Sequence, residues 1–414
     1  MREAPEFISA DAVLDAVRTH WAIDVDVIEH LPVGFGAHHW RVSFAGAPRL
    51  FVTLDNLGPR HTAESLEAAY TAAGELAAAG LEFVLASVPN RQGRYTAPLA
   101  GHRLSCVPWT GGKPGSGPID TDDLAQQNAK ALAQLHATPP PIGIPSWQPR
   151  VGEDFGGSLA NLVRTPWQTG PYGERARSAL TQRIDAIRRW TDTYHDLSRR
   201  TVDHQWVPTH GEPHTANQLI TDHGIVFVDW ESLALAPRER DLGTLINSGY
   251  ADLAAPNWEM TELFDLEWRL SELAEYATWF THPHTGTASD RSAFDDLITE
   301  LHRPDWTRPP TDPPSSPTPR SPPPPPEGGP LCRPHARNTV HTHQPSIVVP
   351  SLSRLPRGHC RSHPWRTHPQ HLHHRPGPRR HTGSSVAYTP STTRAPPWPA
   401  TPFPSTTVTH DILA

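Results

Sequence analysis

Thr209-His210-Gly211-Glu212-Pro213-His214-Thr215-Ala216-Asn217 is the densest run of chemically able side chains in this 414-residue chain. Twelve residues after Asn217, Asp229 ends the apolar run Ile225-Val226-Phe227-Val228, which follows Gly224 and precedes Trp230 and Glu231. The pattern is an acid and an asparagine five apart in a loop, then an acid at the end of a short strand. An amide oxygen and a carboxylate are both hard oxygen ligands suited to Mg2+, so Asn217 and Asp229 are the candidate metal pair. Taken singly these residues say little. His-Gly-Glu fits any loop, His210 and His214 fit ordinary loop histidines, and Asp229 fits a strand cap. Order and spacing make them informative together.

Before this run the period is helical. Residues 174–199 place Leu180, Ile184, Ile187, Trp190, Tyr194 and Leu197 on one stripe, and residues 121–137 do the same with Leu124, Ala131, Leu132 and Leu135. Helical runs resume over 239–253, 257–280 and 288–302. The first 110 residues differ. A short amphipathic helix over 9–21 is followed by strand-like runs at Val25–Glu29, Trp40–Phe44 and Leu50–Leu54, an alanine-rich helix over 62–79, and further strands at Phe83–Val88 and Arg103–Val107. Thr110–Pro118 holds four glycines and two prolines, the composition of a hinge. The expected class is α+β: a β-rich lobe over 1–110, a linker over 111–118, and a helical lobe over 119–303 with a small hairpin inside it.

From Pro304 the pattern collapses. Residues 304–414 contain 27 of the 48 prolines, 11 histidines and 12 arginines, with only Asp305, Asp312, Glu327 and Asp411 as acids. Twelve arginines against four acids give this segment +8, and the chain's net −7 then leaves −15 for residues 1–303. Such a tail cannot bury enough apolar surface to offset chain entropy and is expected to be disordered. A net acidic folded region is a poor non-specific nucleic-acid binder. No run approaches the ~20 apolar residues of a membrane helix. The N-terminus lacks an apolar signal core, and three cysteines, two of them (Cys332 and Cys360) in the tail, make no disulfide framework. These features point to a reducing cytoplasm.

The loop and hairpin together resemble the aminoglycoside phosphotransferase family, the small-molecule branch of the protein-kinase-like fold. His210-Gly211-Glu212 and Asn217 match that family's loop, with glutamate where it carries aspartate, and Asp229-Trp230 matches its metal motif. Pro237-Arg238-Glu239-Arg240-Asp241-Leu242 and Leu132-Ala133-Gln134-Leu135-His136 resemble further family segments, so the likeness covers about residues 10–303. The resemblance implies a two-lobed kinase-like fold, ATP or GTP with Mg2+, and a small-molecule hydroxyl acceptor, for which an acidic lobe favours a cationic aminosugar. It implies that Glu212, beside His210, orients the hydroxyl, that Asn217 and Asp229 hold the metal, and that Asp241 braces the loop. Gly34 and Gly36 are candidates for the phosphate-covering loop, although a two-glycine turn also suits an ordinary strand connection. The hinge strand around Val107 would present backbone groups to the purine.

Two departures touch the mechanism. Kinase-like enzymes place a lysine on the third strand, paired to a helix glutamate. Here Thr53 stands at that position, and the chain's two lysines, Lys113 and Lys130, lie elsewhere. Arg41, on the preceding strand, is the nearest alternative cation, and it equally fits a solvent-facing strand residue. Glu67 is the best-placed helix carboxylate, with Glu64 and Glu75 as rivals. Glutamate for aspartate at 212 moves the carboxylate by about 1–1.5 Å, where a misplacement of ~1 Å can cost ~10²-fold in rate. A kinase-shaped binding protein without catalysis is therefore the competing expectation.

Overall fold

The computed structural model describes residues 4–21, 23–33, 37–58 and 61–306. Gly34, Gly36 and the segment from 307 onward, where most of the expected disordered tail falls, lie outside the described residues.

The first helix, α1 (Ala10–Trp21), is followed by β1 (Val27–Leu31), β2 (His38–Phe44), β3 (Ala47–Asp55), α2 (Ala63–Ala78), β4 (Thr96–Leu99) and β5 (His102–Pro108). The strands form one antiparallel sheet in the order β1-β2-β3-β5-β4. Alternation decides its faces. Trp40, Val42, Leu50, Val52, Leu54, Leu104 and Cys106 point to the back, where Val13, Leu14, Val17 and Trp21 of α1 cover them. Each such aliphatic side chain contributes about 1.5–3 kcal/mol when fully buried. Stability of this lobe therefore comes from the back face, which leaves the front face available for polar side chains.

Thr62 and Ser65 cap α2 reciprocally. Its Leu66, Tyr70, Ala73 and Leu76 share a core with Leu132 and Leu135, and with Ile225, Phe227 and Trp230 beside Asp229. The helix thus fastens the sheet to the segment around Asp229. Phe83–Val88 is not a strand. After the Gly80 turn this segment docks on the later hairpin through Val84, with the Phe227 N–H donating to Phe83 O at 2.7 Å.

The hinge contains β6 (Lys113–Pro114). Then come α3 (Asp122–Ala137), α4 (Phe155–Leu162), α5 (Gly173–Arg200), β7 (Trp206–Thr209), β8 (Gln218–Thr221), β9 (Gly224–Phe227), β10 (Ala234–Pro237), α6 (Gly243–Asn247), α7 (Trp258–Thr281) and α8 (Ala288–His302). β6, β8 and β9 form one small sheet, β7 and β10 another. Trp190, Tyr194, Leu263, Leu270 and Phe280 centre the helical core. The single helix expected over 239–253 is interrupted at Leu242 and again at Gly249, whose φ is 88°, giving a 3-10 turn (Arg238–Asp241), α6 and a second turn (Ala251–Leu253). No described helix is long and apolar enough to cross a membrane.

The tail boundary expected at 304 falls at least three residues later. Arg269 is fully buried, with its guanidinium 4.4 Å from the Trp190 ring centroid. It donates to Asp305 Oδ1 at 3.1 Å and to Pro304 O at 2.6 Å, and Trp190 Nε1 donates to Asp305 at 2.9 Å. A chain ending at 303 should melt lower than one ending at 306, by about 2 kcal/mol. That is less than the cost of breaking a fully buried pair, because Asp305 is exposed. Equal thermal melts of the two chains would show that Asp305 contributes nothing.

Candidate active site

The loop is delivered by β7, whose antiparallel pairing with β10 sets Thr209 opposite Ala234. His210 and Asp241 are both fully buried. Asp241 accepts from the His210 N–H at 2.9 Å, the Gly211 N–H at 2.7 Å and His136 Nε2 at 2.9 Å. Burial opposes the Asp241 charge, but the hydrogen bond and charge of His136 and the hydrogen bond from the Gly211 N–H outweigh it, and the carboxyl lies below its ordinary pKa. Gly211 adopts φ 95°, and a Cβ there would lie 2.5 Å from the Arg240 guanidinium, so only glycine suits both the backbone and the space. Asp241 thus holds the His210 and Gly211 backbone, and Arg240 holds Thr209 Oγ1 at 3.0 Å.

His210 itself faces inward. The Val228 carbonyl can only accept, so His210 Nε2 carries the proton and donates to it at 2.9 Å, while Nδ1 accepts from the Glu212 N–H at 3.3 Å. Burial lowers its pKa, which keeps the ring neutral. Its ring lies tilted by 46° against Trp230, with the centroids 4.4 Å apart. Both ring nitrogens are thus engaged within the protein, and His210 supports the loop from beneath.

Glu212 follows, half-buried. Its Oε1 lies 2.9 Å from Arg150 Nη2 and accepts from Ser232 Oγ at 3.1 Å. Asn217 donates both amide hydrogens, to Glu212 O at 3.0 Å and toward His214 Nε2 at 3.3 Å. Its Oδ1 is thereby fixed on the opposite side of the amide. The Val228 N–H donates to Asn217 O at 3.0 Å, which sets Asp229 beside Asn217 at the mouth of the β8–β9 hairpin. Asp229 is exposed and left-handed, with φ 65° and ψ 65°. Such a backbone is costly for most residues and clusters at functional sites. A fixed amide oxygen and an exposed carboxylate fit a Mg2+ ion, which keeps several waters and shares its remaining positions with phosphate oxygens.

The sheet brings three of the predicted nucleotide residues to its front face. Register sets Arg41 opposite Phe51 and Phe51 opposite Val107, and sets Thr53 between His39 and Ser105. Thr53 Oγ1 and His39 Nδ1 share a hydrogen bond of 3.2 Å. Arg41 pairs with Glu29 and lies 5.7 Å from the Trp109 ring centroid. The Glu67 carboxylate accepts from the Tyr95 and Thr96 N–H groups at 2.8 and 2.9 Å and from Thr96 Oγ1 at 2.6 Å, and it pairs with Arg94. It ties α2 to β4.

Asp55, which sequence reasoning missed, is buried two residues beyond Thr53 on the same face. It accepts from Tyr70 Oη at 3.2 Å, and burial together with the Glu231 charge raises its pKa well above the ordinary carboxylate value. The signal was present in the strand alternation Phe51, Thr53, Asp55.

Among curated proteins, the chain is 30% identical over 250 residues to Protein StrN of Streptomyces griseus, covering 57% of this chain and 77% of that protein. Among solved structures it is similar to spectinomycin phosphotransferase APH(9)-Ia. The complex with ADP and spectinomycin superposes with a TM-score of 0.57 at 18% identity, covering 72% of this chain and 96% of that one. The AMP complex of the same enzyme gives 0.55 with the same identity and coverage. These likenesses establish the two-lobed kinase-like fold. The phosphotransferase enzyme family matches residues 27–280, a span that takes in strands of the small lobe, the braced loop and the hairpin, and the chain therefore belongs to that family.

Proposed function

We propose that the protein is a small-molecule kinase that transfers the γ-phosphoryl group of ATP or GTP to a hydroxyl. The observation that carries this is the braced loop, which presents Glu212 and Asn217 beside Asp229. Residues 1–110 form the nucleotide lobe, 111–118 the hinge, and the helical lobe from 119 carries the acceptor chemistry. Asn217 and Asp229 hold Mg2+, which when bound neutralises phosphate charge. Glu212 accepts a hydrogen bond from the acceptor hydroxyl. As the new oxygen–phosphorus bond forms, the bond to the leaving diphosphate breaks and the hydroxyl proton moves toward Glu212. The net charge of −15 over residues 1–303 favours a cationic acceptor such as an aminosugar. Such a kinase works in the cytoplasm, where nucleoside triphosphates and a reduced Cys106 coexist.

A second reading, a nucleotide-binding protein without catalysis, is favoured by one feature: Thr53 occupies the lysine position and is bonded to His39. Glu212→Gln separates the two. For a kinase, turnover falls by ~10²-fold or more, the usual range for a positioned acid or base, while nucleotide affinity barely moves. The readout is nucleotide consumption with spectinomycin and other hydroxylated amines as acceptors. An active enzyme whose Glu212→Gln variant keeps its chemical rate removes Glu212 from the mechanism, and a chain that turns over nothing is the binder.

A further inference from the structure

Arg150 lies in the irregular segment between α3 and α4, 62 residues before Glu212 in sequence. No family segment or sequence pattern singled it out, yet it is held on every side. Its own N–H donates to Tyr194 Oη at 3.0 Å. Its Nε lies 3.6 Å from Glu267 Oε1, and Glu267 Oε2 in turn accepts from Trp147 Nε1 at 2.7 Å and Tyr194 Oη at 2.8 Å. Its Nη2 donates to Ser232 Oγ at 3.1 Å and meets Glu212 Oε1 at 2.9 Å. Arg150 and Glu267 have side chains only 18% and 6% exposed.

Stability does not explain this arrangement. A buried ion pair seldom beats well-packed apolar side chains of the same volume, because desolvating both charges offsets their attraction. Glu267 of α7, Ser232 of the turn after Asp229 and Glu212 of the loop nevertheless converge on one guanidinium, while Tyr194 of α5 holds the Arg150 backbone. The end of that guanidinium away from Glu267 touches the loop carboxylate.

We propose that Arg150 is a positioning residue for phosphoryl transfer: with Ser232 it grips Oε1 of Glu212 and so aims the carboxylate at the acceptor hydroxyl. The proposal rests on the assignment of Glu212 made above. It also accounts for the glutamate. Aspartate at 212 would draw the carboxylate back by about 1–1.5 Å, the length of one methylene, which is enough to lose the hydrogen bond to Arg150 and the rate that depends on it. Glutamate at 212 and arginine at 150 are two halves of one device.

A double-mutant cycle on the full chain tests it, using Arg150→Met, Glu212→Gln and the double variant. The assays are Mg-ATP turnover with water as acceptor and with spectinomycin as acceptor. Arg150→Met should lower kcat by ~10²-fold, as Glu212→Gln does, with the KM for ATP unchanged. Combining them should cost no more than either alone, because Arg150 acts only through Glu212. Arg150→Lys should recover part of the rate, since an ammonium supplies charge without the fork. Arg150→Met strands Glu267 in the interior, so Arg150→Met/Glu267→Gln is measured beside it. That variant removes the buried charge, keeps the fold, and should remain as slow. Losses that multiply in the double variant, or full activity in either protein that carries Arg150→Met without a change at Glu212, overturn the proposal while leaving Glu212 in place. An active enzyme indifferent to Glu212→Gln, or no turnover by the unaltered chain, overturns the underlying assignment and this proposal with it.

Discussion

Asp229→Asn should reduce Mg2+-dependent turnover by ~10³-fold or more, because charge neutralisation by the ion is worth several kcal/mol in the transition state and one of the two ligands proposed for it loses its charge. The substitution is well suited to the question. Asp229 is left-handed at φ 65°, and asparagine is among the residues that tolerate that conformation best. The loop keeps its shape, so charge is the only large change. Thermal melts of the two proteins should coincide. Titration calorimetry with ATP, with and without Mg2+, should show the ion's contribution to affinity reduced in the variant. Unchanged ion dependence would make Asp229 a turn residue and nothing more.

Asp241→Asn should have the largest effect on stability, about 3–5 kcal/mol, as for breaking any buried hydrogen-bonded charge. Three donors converge on the carboxylate, and an amide group offers only one acceptor oxygen in exchange. The loss should show as a lower denaturation midpoint and as lost turnover, because the His210-Gly211 backbone is no longer pinned. Its pH dependence follows from the sign of the shift. The Asp241 pKa is lowered in the folded state. Its stabilisation is therefore fully present above the unfolded carboxylate value of about 3.9 and disappears as the pH falls through the lower, folded value. The stability difference between the two proteins should be constant above about pH 4 and shrink below it. A gap that stays open in strong acid would mean that the Asp241 charge is not what holds the loop.

Local chemistry was legible in the sequence, and long-range chemistry was not. Glu212, Asn217 and Asp229 could be grouped because a short loop and a hairpin of two four-residue strands leave them little freedom to separate. Asp241 could be added because its segment resembled one with a bracing role. Arg150 could not, since it sits in a proline-bearing stretch with no periodicity, and its partners Tyr194, Ser232 and Glu267 come from α5, the turn after Asp229 and α7. The contacts of Glu67 were hidden for a related reason. The alanine-rich helix has acids at 64, 67 and 75, and only contact with the Tyr95–Thr96 backbone decides which of them turns inward. The sheet order likewise follows from pairing, so Phe83–Val88, apolar enough for a strand, docks on the hairpin while the plainer Thr96–Leu99 takes the edge.

Cys106 sits on the back face of β5 with no exposed surface, and burial pushes its thiol pKa well above the ordinary value. Both conditions for alkylation, access and a thiolate, are therefore denied to it in the native sheet. In a chain whose other two cysteines, Cys332 and Cys360, are replaced by serine, the rate of iodoacetamide labelling becomes a clock for the opening of the β-rich lobe alone. It ticks only when β5 parts from α1, whatever the helical lobe is doing.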